Sequence, residues 1–233
     1  MKQLRILSGG AAQGLVEKLR PAFEAQTGCV IEGTFGAVGA MRARLLAGEP
    51  ADLVILTRTL IDGLEKGGHV TADTAADLGT VETAIAVRHG AAMPPVGDAS
   101  VLRAALLKAD EIHFPDPEQA TAGIHFAGVL RDLGIHDEVS PRLKTAPNGA
   151  TAMRELAASK SRNPIGCTQA TEILSTPGIV LVAPLPPGCA LATVYTAATV
   201  AKARASAEAA HLIAMLTDAA GREEGRRLGF TKS

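Results

Sequence analysis

Short apolar runs alternate with helical patterns along most of the chain, and turns rich in glycine and alanine separate them. Residues 3–8 read as a strand that breaks at Gly9-Gly10 into a helical pattern over 11–26, with Leu15, Leu19 and Phe23 on one face. Pro21 falls inside that pattern and predicts an interrupted, bent helix, because proline removes a backbone donor. Gly28 is the expected stop. Cys29 to Phe35 reads as a second strand, and Gly36-Ala37-Val38-Gly39 as a second small-residue turn into a helix ending near Gly48. Ala51 to Thr57 is nearly all apolar, as in a parallel sheet covered on both faces. Leu60 to Lys66 is a short helix closed by Gly67-Gly68.

The alternation continues through a strand over Val81–Arg88 and the Met93-Pro94-Pro95 break. Ser100 is the expected cap of a helix to about Lys108, and Ile112-His113-Phe114 a short strand. Thr121-Ala122-Gly123 starts a helix stopped by Gly134, and Asn148-Gly149 caps another that runs to Ala158. Pro164 to Thr168 and Ile179 to Val182 read as strands, with a short helix from Gln169 to Leu174 between them. After the turn at Pro184 to Gly188, Ala190 to Thr199 is strand-like, and 206–216 and 221–228 are helical. The pattern predicts an α/β protein of two doubly wound lobes joined by two crossing strands. Lobe 1 takes 1–80 and 193–233, lobe 2 takes 83–190, and the crossings fall near 80–86 and 189–195.

Composition narrows the function. The chain has 233 residues, 47% of them hydrophobic and 3% aromatic, which fits closely packed helices on a sheet and excludes disorder. A net charge of −1 gives no case for nucleic acid or an anionic membrane surface. With no Trp and only Tyr195 there is no platform for stacking bases. No apolar run reaches the roughly 18 residues of a spanning helix, so no membrane insertion is expected. Cys29, Cys167 and Cys189 form neither a disulfide framework nor a zinc pattern, and no metal or cofactor is expected. The first strand begins within a few residues of Met1, which leaves no room for a secretory leader. The chain as it stands reads as cytoplasmic, or as periplasmic if the N-terminus was trimmed.

A strand that turns through small residues into a helix leaves the first helical N–H groups without internal partners. With the positive end of the helix dipole they form an anion site. Four such turns supply the candidate ligand residues: Ser8, Gly10 and Ala11; Val38 and Gly39; Ala122 and Gly123; Gly149 and Ala150. Arg42, one turn inside the second helix, could fork a carboxylate or lie solvated on the surface. Thr168 and Gln169 follow a strand and offer neutral donors and acceptors. Cys167 is either a small core residue or a thiol whose pKa a nearby helix dipole lowers. Glu172 is the best lone carboxylate for a general base in an enzyme, or a first-turn residue favourable to its helix dipole. His113 and His125 lie near strand or helix ends and could carry protons, but no partner carboxylate is identifiable by spacing, and they read as structural or surface residues.

The segments Ser8-Gly9-Gly10-Ala11-Ala12, Phe35-Gly36-Ala37-Val38-Gly39 and Leu46-Ala47-Gly48-Glu49-Pro50-Ala51-Asp52-Leu53 resemble the molybdate-binding type of periplasmic solute-binding protein. Thr121-Ala122-Gly123-Ile124, Leu133-Gly134 and the closing Arg226, Leu228-Gly229-Phe230 extend the likeness from end to end. The resemblance implies a type II solute-binding fold whose lobes close on a small anion, with an ABC-transporter permease as partner. In that family hydroxyl side chains at the first two helix turns and a tyrosine in the second lobe hold the oxyanion. Ala11, Val38 and Cys167 stand at or near those positions here. Each charge-assisted hydrogen bond lost is worth roughly 1.5–3 kcal/mol, which argues against molybdate as the ligand. Thr168-Gln169-Ala170-Thr171-Glu172 is similar to a divergent branch that includes aconitate isomerase.

The leading expectation is a receptor that binds a small organic carboxylate or oxyanion without catalysis. An isomerase moving a proton on a polycarboxylate is the alternative. A ligand-sensing domain is the third reading, and it would need a regulatory partner because no helix-turn-helix module is available in the chain.

Overall fold

The computed structural model describes residues 2–231, which divide into two compact units. One unit holds the chain up to Val81 and again from Thr193, and the other holds Glu82–Ala192.

The first unit opens with β1 (Lys2–Gly9), a 3-10 turn at Gly10–Ala12 and α1 (Gln13–Thr27). There follow β2 (Cys29–Gly36), α2 (Val38–Leu46), β3 (Leu53–Thr57), α3 (Arg58–Lys66) and the first part of β4 (Ala76–Arg88). The expected interruption at Pro21 does not occur, and α1 is continuous through it. Pro21 is on the exposed face, where the carbonyl it leaves unpaired is accessible to water. The helix ends as expected, with Gly28 left-handed at φ 64°.

The second unit takes the rest of β4, α4 (Ala99–Lys108), β5 (Glu111–Pro115), α5 (Thr121–Asp132) and α6 (His136–Val139). It continues with β6 (Leu143–Ala146), α7 (Gly149–Ala158), β7 (Pro164–Gln169), α8 (Ala170–Leu174) and β8 (Ile179–Pro184). Asp98, not Ser100, caps α4: its carboxylate accepts from Val101 N at 2.8 Å. The chain returns to the first unit through β9 (Ala192–Thr199) and closes with α9 (Ser206–Thr217) and α10 (Ala219–Arg227).

In the first unit the strand order is β2-β1-β3-β9. β1 runs parallel to β2 and β3, but β9 is antiparallel to β3, with Tyr195 opposite Thr57. The parallel setting expected for 51–57 therefore holds on one side of that strand only. Leu4, Ile6, Leu15, Phe23, Leu53, Leu212 and Leu216 are buried in this unit, and α1 packs on α9 and α10. Asp52, only 5% exposed, accepts from Arg5 N, Arg204 N and Ala205 N, which ties β1 to the start of α9. In the second unit β7 lies between β4 and β5, antiparallel to β4 and parallel to β5, with β6 beyond β5 and β8 on β4. Its core joins Ile85, Leu102, Leu106, Phe114, Phe126, Leu130, Ile165 and Cys167. Phe114 and Phe126 meet edge to face with centroids 5.4 Å apart.

Candidate functional site

In the first unit the candidate residues lie at the carboxyl ends of β1 and β2. Gly9 is the N-cap of the 3-10 turn and Ala37, extended at φ −62° and ψ 134°, is the N-cap of α2. Neither N-cap residue makes a side-chain cap hydrogen bond to the first N–H groups of these elements. A Cβ on Gly9 would fall 2.7 Å from Val38 Cγ1 and 3.1 Å from Tyr195 Cε1. Only glycine lets those two side chains close over the turn, and both are almost fully buried. Gly10 and Gly39 are half-buried and Ala11 is buried beside them. Ser8 is fully buried and its hydroxyl donates to Gly9 O at 2.9 Å, so the donor role expected of it is already filled. Arg42 is exposed on α2 with no ion-pair partner among the described residues.

In the second unit α5 begins at Thr121 behind Ala120, again without a side-chain cap. A Cβ on Gly123 would collide with the carbonyl oxygens of Pro115 and Asp116, so this glycine seats the first turn of α5 on the end of β5. Ala122 is buried beside it.

The start of α7 differs. Asn148 caps it by accepting from Thr151 N at 2.9 Å. The Glu172 carboxylate also accepts from the backbone at Ala150, from the backbone at Gln169, and from Thr168 Oγ1 at 2.6 Å. A Cβ on Gly149 would fall onto Glu172 Oε2 and Thr168 Oγ1. The expectation that Gly149 and Ala150 present free amides to a ligand is thus corrected: a carboxylate of the chain itself occupies this helix start. Glu172 serves two helix N-termini, with one contact reaching back across the first turn of α8 as in a capping box. Burial outweighs these three hydrogen bonds and raises its pKa above the usual carboxylate value.

For Cys167 the core alternative holds, and its place among the ligand side chains is corrected. Strand alternation turns Ile165 and Cys167 into the apolar core, where burial pushes the thiol pKa well up. It is a core residue, neither a reactive thiol nor a ligand side chain. His113 does have a partner carboxylate, which its spacing did not reveal: its Nε2 lies 3.0 Å from Glu111 Oε2, while His125 Nε2 lies 2.7 Å from the Cys189 carbonyl.

Gln169, the last residue of β7, is 2% exposed, and neither its amide oxygen nor its amide nitrogen has a partner. Thr83, opposite it on β4, and Thr171 in the first turn of α8 also carry buried hydroxyls without partners. Sequence reasoning named Gln169 but missed the two threonines. A hydroxyl inside the apolar run Val81 to Val87 was the available signal for Thr83. The second unit thus carries an uncapped helix start at α5 together with neutral donors and acceptors at Gln169, Thr83 and Thr171, and among the described residues no group of His, Cys, Asp and Glu could hold a metal ion.

Helix starts at the carboxyl ends of strands are where proteins built on open α/β sheets hold their ligands. The model of the bacterial extracellular solute-binding protein family matches residues 4–231, and the chain belongs to that family. An aconitate isomerase of a Pseudomonas species is 29% identical over 210 residues, covering 86% of this chain and 77% of the relative. The molybdate-binding protein of Escherichia coli (strain K12) is 23% identical over 188 residues, 79% of this chain and 72% of its own. Among solved structures, the periplasmic molybdate-binding protein of Azotobacter vinelandii superposes with a TM-score of 0.83 at 16% identity, over 99% of both chains. The sulfate-binding protein of Mycobacterium tuberculosis gives 0.77 at 18% identity, over 100% of this chain and 87% of its own. These superpositions establish the type II periplasmic-binding-protein fold expected from the sequence. Among the described residues no helix is long and apolar enough to cross a membrane.

Proposed function

We propose that this chain is a receptor for a small anion, an organic carboxylate or an oxyanion, and that it delivers the anion to an ABC-transporter permease. The observation that carries this reading is the set of uncapped starts at Gly10, Val38 and Thr121. Asp98 and Asp218 cap α4 and α10 with carboxylates, and although α3, α8 and α9 also start without a side-chain cap, Gly9, Ala37 and Ala120 combine a glycine or alanine N-cap with a place just beyond the carboxyl end of a strand. Where a strand end opens on glycine or alanine instead, the amides are left for an external anion, and the dipole favours it. Backbone donors together with the Thr168 and Gln169 region recognise negative charge and shape without a cationic side chain. The similarity to molybdate- and sulfate-named proteins supports the anion class. The absence of hydroxyls at Ala11 and Val38 favours a ligand other than molybdate. A thermal-shift screen of oxyanions against di- and tricarboxylates, followed by calorimetry on any hit, tests this reading.

A second reading, an isomerase moving a proton between carbons of a tricarboxylate, is favoured by the similarity to the Pseudomonas enzyme over most of the chain. Glu172 is its candidate general base, although three hydrogen bonds already hold that carboxylate in a capping role. Proton NMR of cis- and trans-aconitate with the purified chain decides it. Product formation that Glu172→Gln abolishes while binding survives would establish catalysis, and unchanged spectra would leave the receptor reading alone.

A further inference from the structure

Within the anion-receptor reading, on which this inference rests, we infer that the ligand carries a hydroxyl hydrogen and presents that O–H to Gln169 and Thr83. Ile165, Cys167 and Gln169 alternate on one face of β7, and Ile85 and Thr83 stand opposite Cys167 and Gln169 on β4. Ile85 and Cys167 belong to the core that Phe126 and Val129 of α5 complete. The Gln169 amide and the Thr83 hydroxyl therefore continue this face toward the carboxyl end of β7, on the side where α5 packs. Its uncapped start is at the carboxyl end of the neighbouring strand β5.

A buried primary amide needs both an acceptor and a donor opposite it. The assignment of oxygen and nitrogen in such a group is a choice, but here both atoms are buried and unpartnered, so either orientation leaves the same double requirement. An anion with only acceptor oxygens, such as sulfate, molybdate or succinate, satisfies the NH2 and leaves the amide oxygen buried and unmatched. An anion bearing an O–H satisfies both, accepting from one end of the amide and donating to the other. Neither the Thr83 nor the Thr171 hydroxyl bonds the amide, so its oxygen still needs a donor from the ligand, while each hydroxyl can give a proton to the ligand or take one from it. Two sources supply this chemistry, a hydroxy acid and a monoprotonated phosphate. A site built to hydrogen-bond a hydroxyl rejects an analogue lacking it, because the buried partner is left unpaired.

Calorimetry on the intact chain with matched pairs, and with molybdate and tungstate beside them, tests this: citrate against tricarballylate, malate against succinate, and phosphate against sulfate, each repeated with Gln169→Met. The expected result is that the O–H member of one pair binds roughly ten- to a hundredfold tighter than its partner. The same ratio should fall to within about twofold in Gln169→Met. The pair that shows the effect identifies the source as hydroxy acid or phosphate. Thr83→Val, with its near-isosteric side chain, repeats the test should Gln169→Met fail to fold, and the discrimination should shrink there too. Equal affinity within every pair, tighter binding of sulfate, molybdate or succinate, or discrimination that survives both substitutions overturns the inference while leaving the anion receptor intact. No binding by any member, molybdate and tungstate included, overturns the receptor reading itself and this inference with it.

Discussion

Thr168 donates its hydroxyl to Glu172 Oε2 at 2.6 Å, and the pair occupies the space that a side chain at Gly149 would need. The glycine thus lets a carboxylate from α8 reach the start of α7. Gly149→Ala must push that carboxylate away or displace the helix. Overpacking of this kind costs about 2 kcal/mol. For a chain of this size the melting temperature should fall by about 4–8 °C in a calorimetric scan.

Two glycines of α5 should respond in opposite directions. A Cβ on Gly123 meets the carbonyl oxygens of Pro115 and Asp116, whereas one on Gly128 meets nothing within 4 Å. Gly128→Ala should stabilise the chain by about 0.5–1 kcal/mol, because glycine is a poor residue inside a helix. Gly123→Ala should destabilise it by at least as much. Urea titrations of the two variants check the sign.

Glu111 and Glu172 make opposite contributions to acid stability. Hydrogen bonds from Ser159 and from His113 hold Glu111 at a pKa of about 2, below its ordinary 4.5. The stability it supplies is present above pH 4.5 and is lost as the pH falls toward 2. Burial raises the pKa of Glu172, so in the folded chain it retains its proton above pH 4.5. Its contribution is full below that value and is lost as the pH rises through the folded pKa. Melting curves should show Glu111→Gln flattening the fall in stability below pH 4.5. Glu172→Gln should flatten a decline above it.

The cysteines should be inert in the folded state. Cys29, Cys167 and Cys189 are free and buried, and burial pushes all three thiols upward in pKa. A thiol reagent at neutral pH should label the native chain slowly and reach all three cysteines only after denaturation.

Much of this architecture was legible because its elements announce themselves chemically. Gly28 and Gly134 stop helices with a left-handed φ, and Asn148 caps α7 with its side chain, each as the residue type dictates. Pro21 misled because its cost depends on which way the ring faces, and only the packing of α1 puts it toward solvent. The strand Leu143–Ala146 was missed because its pattern is mostly exposed at the edge of the sheet, with no apolar alternation to read. The antiparallel setting of β9 against β3 is a choice of topology that an apolar run does not record.

The candidate site was legible by place and less so by role. Small residues at strand ends marked Gly10, Val38 and Ala122. Nothing in the spacing of Gly149 and Glu172 revealed that one would receive the other, because that contact depends on how α7 and α8 pack together. Cys167 and Gln169 lie two residues apart on one face of β7, yet one is core and the other an unmatched polar group. The end of the strand separates them, and sequence fixes such an end only to within a residue or two.

The amide claim can be tested by substitution. Val38 is the first residue of α2, where proline fits the helix and removes only an N–H that the helix does not use. Ala37 before it is already extended, as a residue preceding proline requires. Val38→Pro should keep the fold, by circular dichroism, and weaken anion binding by roughly tenfold or more through loss of one charge-assisted hydrogen bond.

The most direct measurement is the melting temperature of the intact chain against molybdate, tungstate, sulfate, phosphate, citrate, malate, trans-aconitate and simple dicarboxylates. A ligand at about 100 times its dissociation constant adds roughly 2.7 kcal/mol to the folded state. That is a rise of about 5–10 °C for a chain of this length. The account predicts such a rise with at least one of these anions and its loss or marked reduction in Val38→Pro. A flat response to every anion in the panel would contradict it.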